Sequence, residues 1–294
     1  MGIENEGKGA ASKTYNYDYE QYDDENKNAQ TMIEEIMADP DLPHLKEIII
    51  GSWGGAWEED CQSIIDGIVE NKEKFSHIEK LYFGDMDYEE CEVSWIMQGD
   101  YSELWAAMPG LKELTIKGSM DLELGEIVHE NLESLTVICG GLPVSVIESV
   151  QNARLPKLKK LMLYIGSDGY GFDGDVDAIK ELLAESDFPE LTYLGITNSE
   201  IQDELIEVVL NSKYMGQIST LDLSMGTLTD KGGSLLLEKI PEWKNIKKLD
   251  LHYHFLSDEM AEKLEGLPIE VDVSEGNGLC EDEDYYCMHA MLTE

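Results

Sequence analysis

Eight copies of an L-x-x-L-x-L hexad predict an α/β fold for this chain: a leucine-rich-repeat horseshoe solenoid with parallel β-strands on the concave face and α-helices on the convex face. The hexads are LKEIII at Leu45, IEKLYF at Ile78, LKELTI at Leu111, LESLTV at Leu132, LKKLML at Leu158, LTYLGI at Leu191, ISTLDL at Ile218 and IKKLDL at Ile246, with Ile, Val or Phe substituting for Leu. They start 21 to 33 residues apart, the length of one strand plus one return segment. Most of those return segments have helical periodicity. The first, fourth and sixth residues of each hexad, Ile246, Leu249 and Leu251 in the eighth, are expected to point inward and stack into one continuous core.

In chain order, residues 1–12 are small and polar and are expected to be disordered. Residues 13–41 read as an N-terminal cap. TYNYDYE, residues 14–20, alternates tyrosines as a capping strand would, and NAQTMIEEIMA places Met32, Ile33, Ile36 and Met37 on one helical face. Residues 42–294 form the repeat domain with its C-terminal cap. WEEDCQSIIDGIVENKEKF, DVDAIKELLAES, QDELIEVVLNS and KGGSLLLEKI read as helices. Units of that length match the ribonuclease-inhibitor-like subclass. LELGEIVHE has room for only a turn or two. PIEVDVS supplies a ninth strand through Ile269, Val271 and Val273. EDED, residues 281–284, is expected to loop out, and YYCMHAML to add a final strand over the open end.

Charge narrows the partners. There are 62 Asp and Glu against 21 Lys and Arg, for a formal charge of -41. Such a surface repels nucleic acid and anionic membranes; it favours basic or cationic partners, a basic protein among them, or else serves only to keep a repeat protein soluble. No signal-peptide core and no membrane-length apolar run is visible, and Glu6 stands where a myristoylation motif needs Ser or Thr. The cysteines, Cys61, Cys91, Cys139, Cys280 and Cys287, are scattered and odd in number, which fits free thiols in a reducing cytoplasm. Cys280, Cys287 and His289 lack the second close pair that a zinc site needs. No metal or cofactor is expected.

Two patches on the concave face are candidate binding surfaces. The fifth hexad position reads Ile49, Tyr82, Thr115, Thr136, Met162, Gly195, Asp222, Asp250 and Asp272. Adjacent strands lie about 4.8 Å apart, so the three aspartates should form an acidic ladder, repulsive unless a cation or basic group lies over it. Ser224 and His252 at the seventh position flank it. Asn198, Met225 and Tyr253 occupy the rim at the eighth. Upstream, Tyr82, Met162, Tyr164 and Tyr193, with Ile165 at the rim, make an aromatic patch of the kind that binds proteins. His254 falls at a turn position and reads as structural.

The loops carry weaker signals. GDMDYEECEVSWI, residues 84–96, mixes acids with Cys91, Trp95 and Ile96. IGSDGYGFDGDVD, residues 165–177, holds Asp168, Asp173, Asp175 and Asp177 without EF-hand spacing. It also holds a formal GxGxxG at Gly169, Gly171 and Gly174, but its four aspartates would repel a pyrophosphate. Walker, HExxH and GxSxG motifs are missing, and His252 with Asp250 lacks a nucleophile, so no enzymatic activity is expected.

GDMDYEECEVSWIMQGD, ITNSEIQDE, LDLSMGTLTDKG and LDLHYHFLS together resemble a bacterial cytoplasmic leucine-rich-repeat family, over about Gly51 to Asp272. The resemblance implies a cytoplasmic protein and carries over no reaction, ligand or catalytic residue. The N-terminal part is shorter than in similar proteins. The leading reading is a non-enzymatic protein-interaction scaffold with an acidic concave surface. The rival is a small-ligand or cation-binding protein using the acidic ladder.

Overall fold

The computed structural model describes residues 12–277 and 288–293. Ten strands form one parallel sheet in chain order: β1 (Ser12–Tyr15), β2 (Glu47–Ile50), β3 (Lys80–Phe83), β4 (Glu113–Lys117), β5 (Ser134–Ile138), β6 (Lys160–Gly166), β7 (Tyr193–Ser199), β8 (Thr220–Asp222), β9 (Lys248–Asp250) and β10 (Glu270–Asp272). Parallel neighbours need a crossover between them. Helices provide most of it: α1 (Tyr19–Asp23), α2 (Ala29–Ala38), α3 (Gln62–Glu70), α4 (Lys72–Phe75), α5 (Leu104–Ala107), α6 (Val144–Gln151), α7 (Val176–Glu185), α8 (Gln202–Leu210), α9 (Asp230–Lys239) and α10 (Asp258–Glu265). Successive helices α6 through α10 pack on one another, as α2 packs on α3.

The hexad explains the core. Its fourth residues from Ile48 to Leu249, and its sixth from Ile50 to Leu251, are all at most 2% exposed. They belong to one apolar cluster running from Tyr17 to Leu264. Alternate residues therefore face the other side of the sheet. At its edge, the second-position residues alternate in sign across strands: Lys46 and Lys112 both pair with Glu79, at 3.0 and 2.6 Å, and Lys159 pairs with Glu133 at 2.7 Å. Acids also tie helix to helix. Asp203 accepts from Thr229 N and Oγ1 at 3.0 and 2.6 Å. One unit on, Asp230 accepts from Ser257 N and Oγ at 2.8 and 2.7 Å.

The sequence reading needs correction at both ends and in the middle. β1 starts at Ser12 and stops at Tyr15, so the strand expected over 14–20 does not form. Asp18 caps α1 instead, in a reciprocal box with Gln21 that bends the chain into helix before Tyr19. Residues 1–11, Cys280, the EDED run and Cys287 lie outside the described residues. Of YYCMHAML, residues 288–292 contain no strand. They lie over the end of β7 and the loops that follow β8 and β9. LELGEIVHE forms no helix; it buries Leu124 and Ile127 in an irregular crossing with an isolated bridge between Val128 and Arg154.

Gly166 ends β6 at φ +72°, and a β-carbon there would run into the Gly140 carbonyl. Gly166→Ala should cost about 2 kcal/mol or more in chemical denaturation. Gly216→Ala, where a β-carbon meets nothing within 4 Å, should change stability by no more than about 0.5 kcal/mol. Equal effects would show that the close approach of Gly140 and Gly166 is not a constraint on the fold.

Candidate functional site

The register puts the fifth-position residues side by side. Ile49 pairs with Tyr82, Tyr82 with Thr115, Thr115 with Thr136, Thr136 with Met162 and Met162 with Gly195. Gly195 then pairs with Asp222, Asp222 with Asp250 and Asp250 with Asp272. Strands β8, β9 and β10 all stop at their aspartate because each carboxylate takes the amide two residues on. The donors are Ser224 N at 3.1 Å, His252 N at 3.3 Å and Ser274 N at 3.0 Å. Aspartate is suited to this short return to its own backbone. The side chain at the same offset joins in: Ser224 Oγ and Ser274 Oγ both donate at 2.6 Å. His252 Nδ1 lies 2.7 Å from Asp250 Oδ1, and since a carboxylate only accepts, the ring N–H donates.

The repulsion expected of a ladder with no basic group over it is relieved by these bonds and by Lys248. Asp222 and Asp250 are 2% and 8% exposed. Asp222 also accepts from the Tyr193 hydroxyl, and Lys248 Nζ sits 3.1 Å from Asp250 Oδ2. Asp272 is held below the ordinary carboxylate range, first by the Ser274 hydroxyl and amide, with His252 and Lys248 adding to it. That is opposite to the rise that repulsion would produce. Asp250, His252 and Asp272 each present a ligand atom within 4.8 Å of the others.

Tyr193 joins the two patches into one strip. Its phenol is pushed well above its usual range by burial and then by Asp222. Tyr164, on the neighbouring strand, is pushed up to about 12 by the same two causes. Tyr82 reaches about 12 through burial, then Asp85 and Tyr164. Met162 is half-buried beside them. Ile165 is not at an exposed rim. It is 0% exposed and belongs to the core, because β6 runs on to Gly166 and alternation sends Ile165 inward with Leu161 and Leu163.

At the third hexad position, which faces the same side, sequence reasoning picks out Tyr193 and passes over the lysines. The position carries Lys80, Lys160 and Lys248, each on a different strand. Lys80 pairs with Glu113 at 2.9 Å, and Lys160 lies 4.8 Å from the Tyr193 ring centre. The lysines were visible in IEK, LKK and IKK. The strip is thus acidic with interleaved cations.

The rim residues Asn198, Met225 and Tyr253 all have left-handed backbone, at φ 55°, 66° and 55°. Tyr253 packs edge-on to Phe255. His254 is buried, with Nε2 2.9 Å from Val273 O, as its structural reading required. Two of the loop aspartates at 165–177 cap helices: Asp173 accepts from Val144 N at 2.8 Å and Asp175 from Asp177 N at 2.8 Å. In the 84–96 loop Trp95 is 54% exposed while Cys91 and Ile96 are buried.

With the fold and the strip in place, a relative can be recognised. A Bacteroides fragilis protein of known crystal structure, a structural genomics target, is 43% identical over 97% of this chain and 78% of its own length, with a TM-score of 0.88. The chain belongs to the family of that Bacteroides fragilis protein. An internalin (inlF) from Listeria monocytogenes aligns over 88% of this chain and 96% of its own at 12% identity and a TM-score of 0.25, a likeness that carries no argument. No protein-family model and no curated protein matches the chain.

Asp250→Asn should destabilise the protein by about 1–3 kcal/mol in urea unfolding at neutral pH, because it weakens bonds to three donors, His252 N, His252 Nδ1 and Lys248 Nζ, in a nearly buried place. An unchanged or higher midpoint would restore the repulsive ladder. Acid should act through the depressed carboxylates. Asp39 lies at about 2: burial pushes it up, but bonds from Lys13 and Tyr15 outweigh that. A carboxylate held below its unfolded value of about 3.9 stabilises the fold above that value, and the contribution is lost as pH falls through the folded pKa. Stability should therefore drop between about pH 4 and pH 2, and Asp39→Asn should flatten that drop in a pH series of unfolding midpoints.

Proposed function

We propose that this chain is an open leucine-rich-repeat horseshoe of the ribonuclease-inhibitor-like kind and serves as a non-enzymatic scaffold that binds a basic region of another protein on its concave face. The observation that carries this reading is the joined strip on β6 to β10. Tyr164 and Tyr193 sit beside Asp222, Asp250 and Asp272 on consecutive strands, linked by the Tyr193–Asp222 bond. A half-buried aromatic ring, Tyr193, bordered by fixed carboxylates suits an Arg- or Lys-bearing surface: the ring offers area and the acids offer charge. Because the carboxylates are already held by their own chain, little ordering is lost on binding. The net charge of -41 steers a basic partner and disfavours nucleic acid and anionic membranes.

A cytoplasmic location belongs to the same reading. Among the described residues, Cys61, Cys91 and Cys139 are free and buried, which suits a reducing compartment. No helix among the described residues is long and apolar enough to cross a membrane. A second reading, binding of a cation or small cationic ligand, rests on the Asp250, His252 and Asp272 atoms lying within 4.8 Å of one another. Lys248, 3.1 Å from Asp250, competes for the same oxygens.

Partner capture from the native host followed by identification of bound proteins is the direct test. The dissociation constant of a captured partner should rise about tenfold or more between low and physiological ionic strength, and Tyr193→Ala should weaken binding by about 2 kcal/mol or more. A response flat in salt and blind to Tyr193 removes the strip as the contact. Saturable binding of a divalent ion, lost in His252→Ala, would favour the second reading.

A further inference from the structure

The C-terminal segment Met288–Thr293 lies across the loops at the ends of the strands, and its bonds follow the repeat. Tyr253 Oη donates to His289 O at 3.3 Å. Met291 N donates to Met225 O at 2.8 Å. The Asn198 side chain grips Leu292 from both sides: Leu292 N donates to Oδ1 at 2.8 Å and Nδ2 donates to Leu292 O at 2.6 Å. Ser94 Oγ donates to Thr293 O. Tyr253, Met225 and Asn198 hold the same position in three consecutive units, so one residue row meets one segment, bent at Met291, step by step. Asn198 is 0% exposed, as is Ala290 in the segment, and Leu292 packs on the core while Met291 is 45% exposed.

Every contact that fixes the direction of the segment is made to its backbone. A carboxamide that both donates to and accepts from one residue's main chain reads an extended peptide whatever its side chain. Side-chain selection is confined to two inward places: a small residue at Ala290 and an aliphatic one at Leu292. Thr197, next to Asn198, is fully buried with its hydroxyl unpartnered among the described residues.

We propose that the row Tyr253, Met225 and Asn198, with Ser94 beyond it, is a docking track for a segment of a protein partner, with a small residue, any residue and then an aliphatic residue at its centre, and that the chain's own C-terminal segment is its displaceable resident. The proposal deepens the scaffold reading and rests on it. A tethered resident competes at an effective concentration in the millimolar range, so an incoming segment binds weakly until the resident leaves. The track runs along the strand ends beside the strip. A partner could therefore engage the strip with its basic surface and the track with an extended arm.

The test uses the full-length chain and a fluorescein-labelled peptide carrying the Met288–Thr293 sequence, read by fluorescence anisotropy. Met291→Pro deletes the amide that bonds Met225 while changing an exposed side chain; Leu292→Asp is the second releasing variant. Hydrogen exchange at the segment's remaining amides reports release. Release should tighten peptide binding about tenfold or more over wild type, and adding Asn198→Ala should abolish the gain. Slow exchange in both variants would show the segment to be a fixed part of the fold and overturn the proposal. Fast exchange without tighter binding, or a gain that survives Asn198→Ala, would overturn it equally. A host partner whose affinity falls with Tyr193→Ala and ignores Asn198→Ala sinks the track and leaves the scaffold standing. Peptide binding on the released track with a partner blind to salt and to Tyr193 does the reverse.

Discussion

Burial of the fourth and sixth hexad residues is the constraint from which the rest follows. A one-residue slip of any strand would exchange its core face for its outer face. Ile48 to Leu249 and Ile50 to Leu251 cannot leave the core without exposing large aliphatic or aromatic side chains. Register is therefore fixed strand by strand. Once it is fixed, every other position becomes a row: charges of alternating sign at the second, lysines and Tyr193 at the third, the tyrosine-to-aspartate series at the fifth. The outer face has no freedom to choose which residues are neighbours.

The same constraint decides what the sequence made legible. The row from Ile49 to Asp272 was readable residue by residue, since the hexad alone sets its pairing. The chemistry of that row was not. Asp222, Asp250 and Asp272 read as uncompensated charge, because Ser224 and His252 read as neighbours and not as donors to the strand-ending carboxylate, and Ser274 carries no signal of its own. Lys248 lay two residues from Asp250, and only alternation places it on the same face. The cap was misread for a local reason. Tyrosine alternation suggested a strand, yet Asp18 and Gln21 stand at capping-box spacing, and a satisfied helix start outweighs a period-two pattern over a few residues.

Contacts between distant parts of the chain had no sequence signal. The Asn198 grip on Leu292 joins residues almost a hundred positions apart, and a lone asparagine at a turn is ordinary. Likewise LELGEIVHE has the apolar content of a short helix, but its unit is too short to hold one and buries Leu124 and Ile127 from an irregular backbone.

Left-handed backbone at bulky residues often marks a site under strain. Here Asn198, Met225, Tyr253 and Glu275 share that conformation in consecutive units, which assigns it to the repeat. In that conformation the residue's amide still reaches the next unit: Asn198 N to Ser224 O at 2.9 Å, Met225 N to His252 O at 2.8 Å and Tyr253 N to Ser274 O at 2.9 Å. The strand ladder is thereby prolonged past the aspartate while the chain turns away. Tolerating Met and Tyr there costs about 1 kcal/mol or more each, offset by an inter-unit bond in every case. The turn also leaves the Met225 carbonyl free to accept from Met291, and Asn, the residue best suited to this conformation, places its carboxamide at Leu292. The feature that closes each repeat is thus the one that gives the rim its grip on the C-terminal segment.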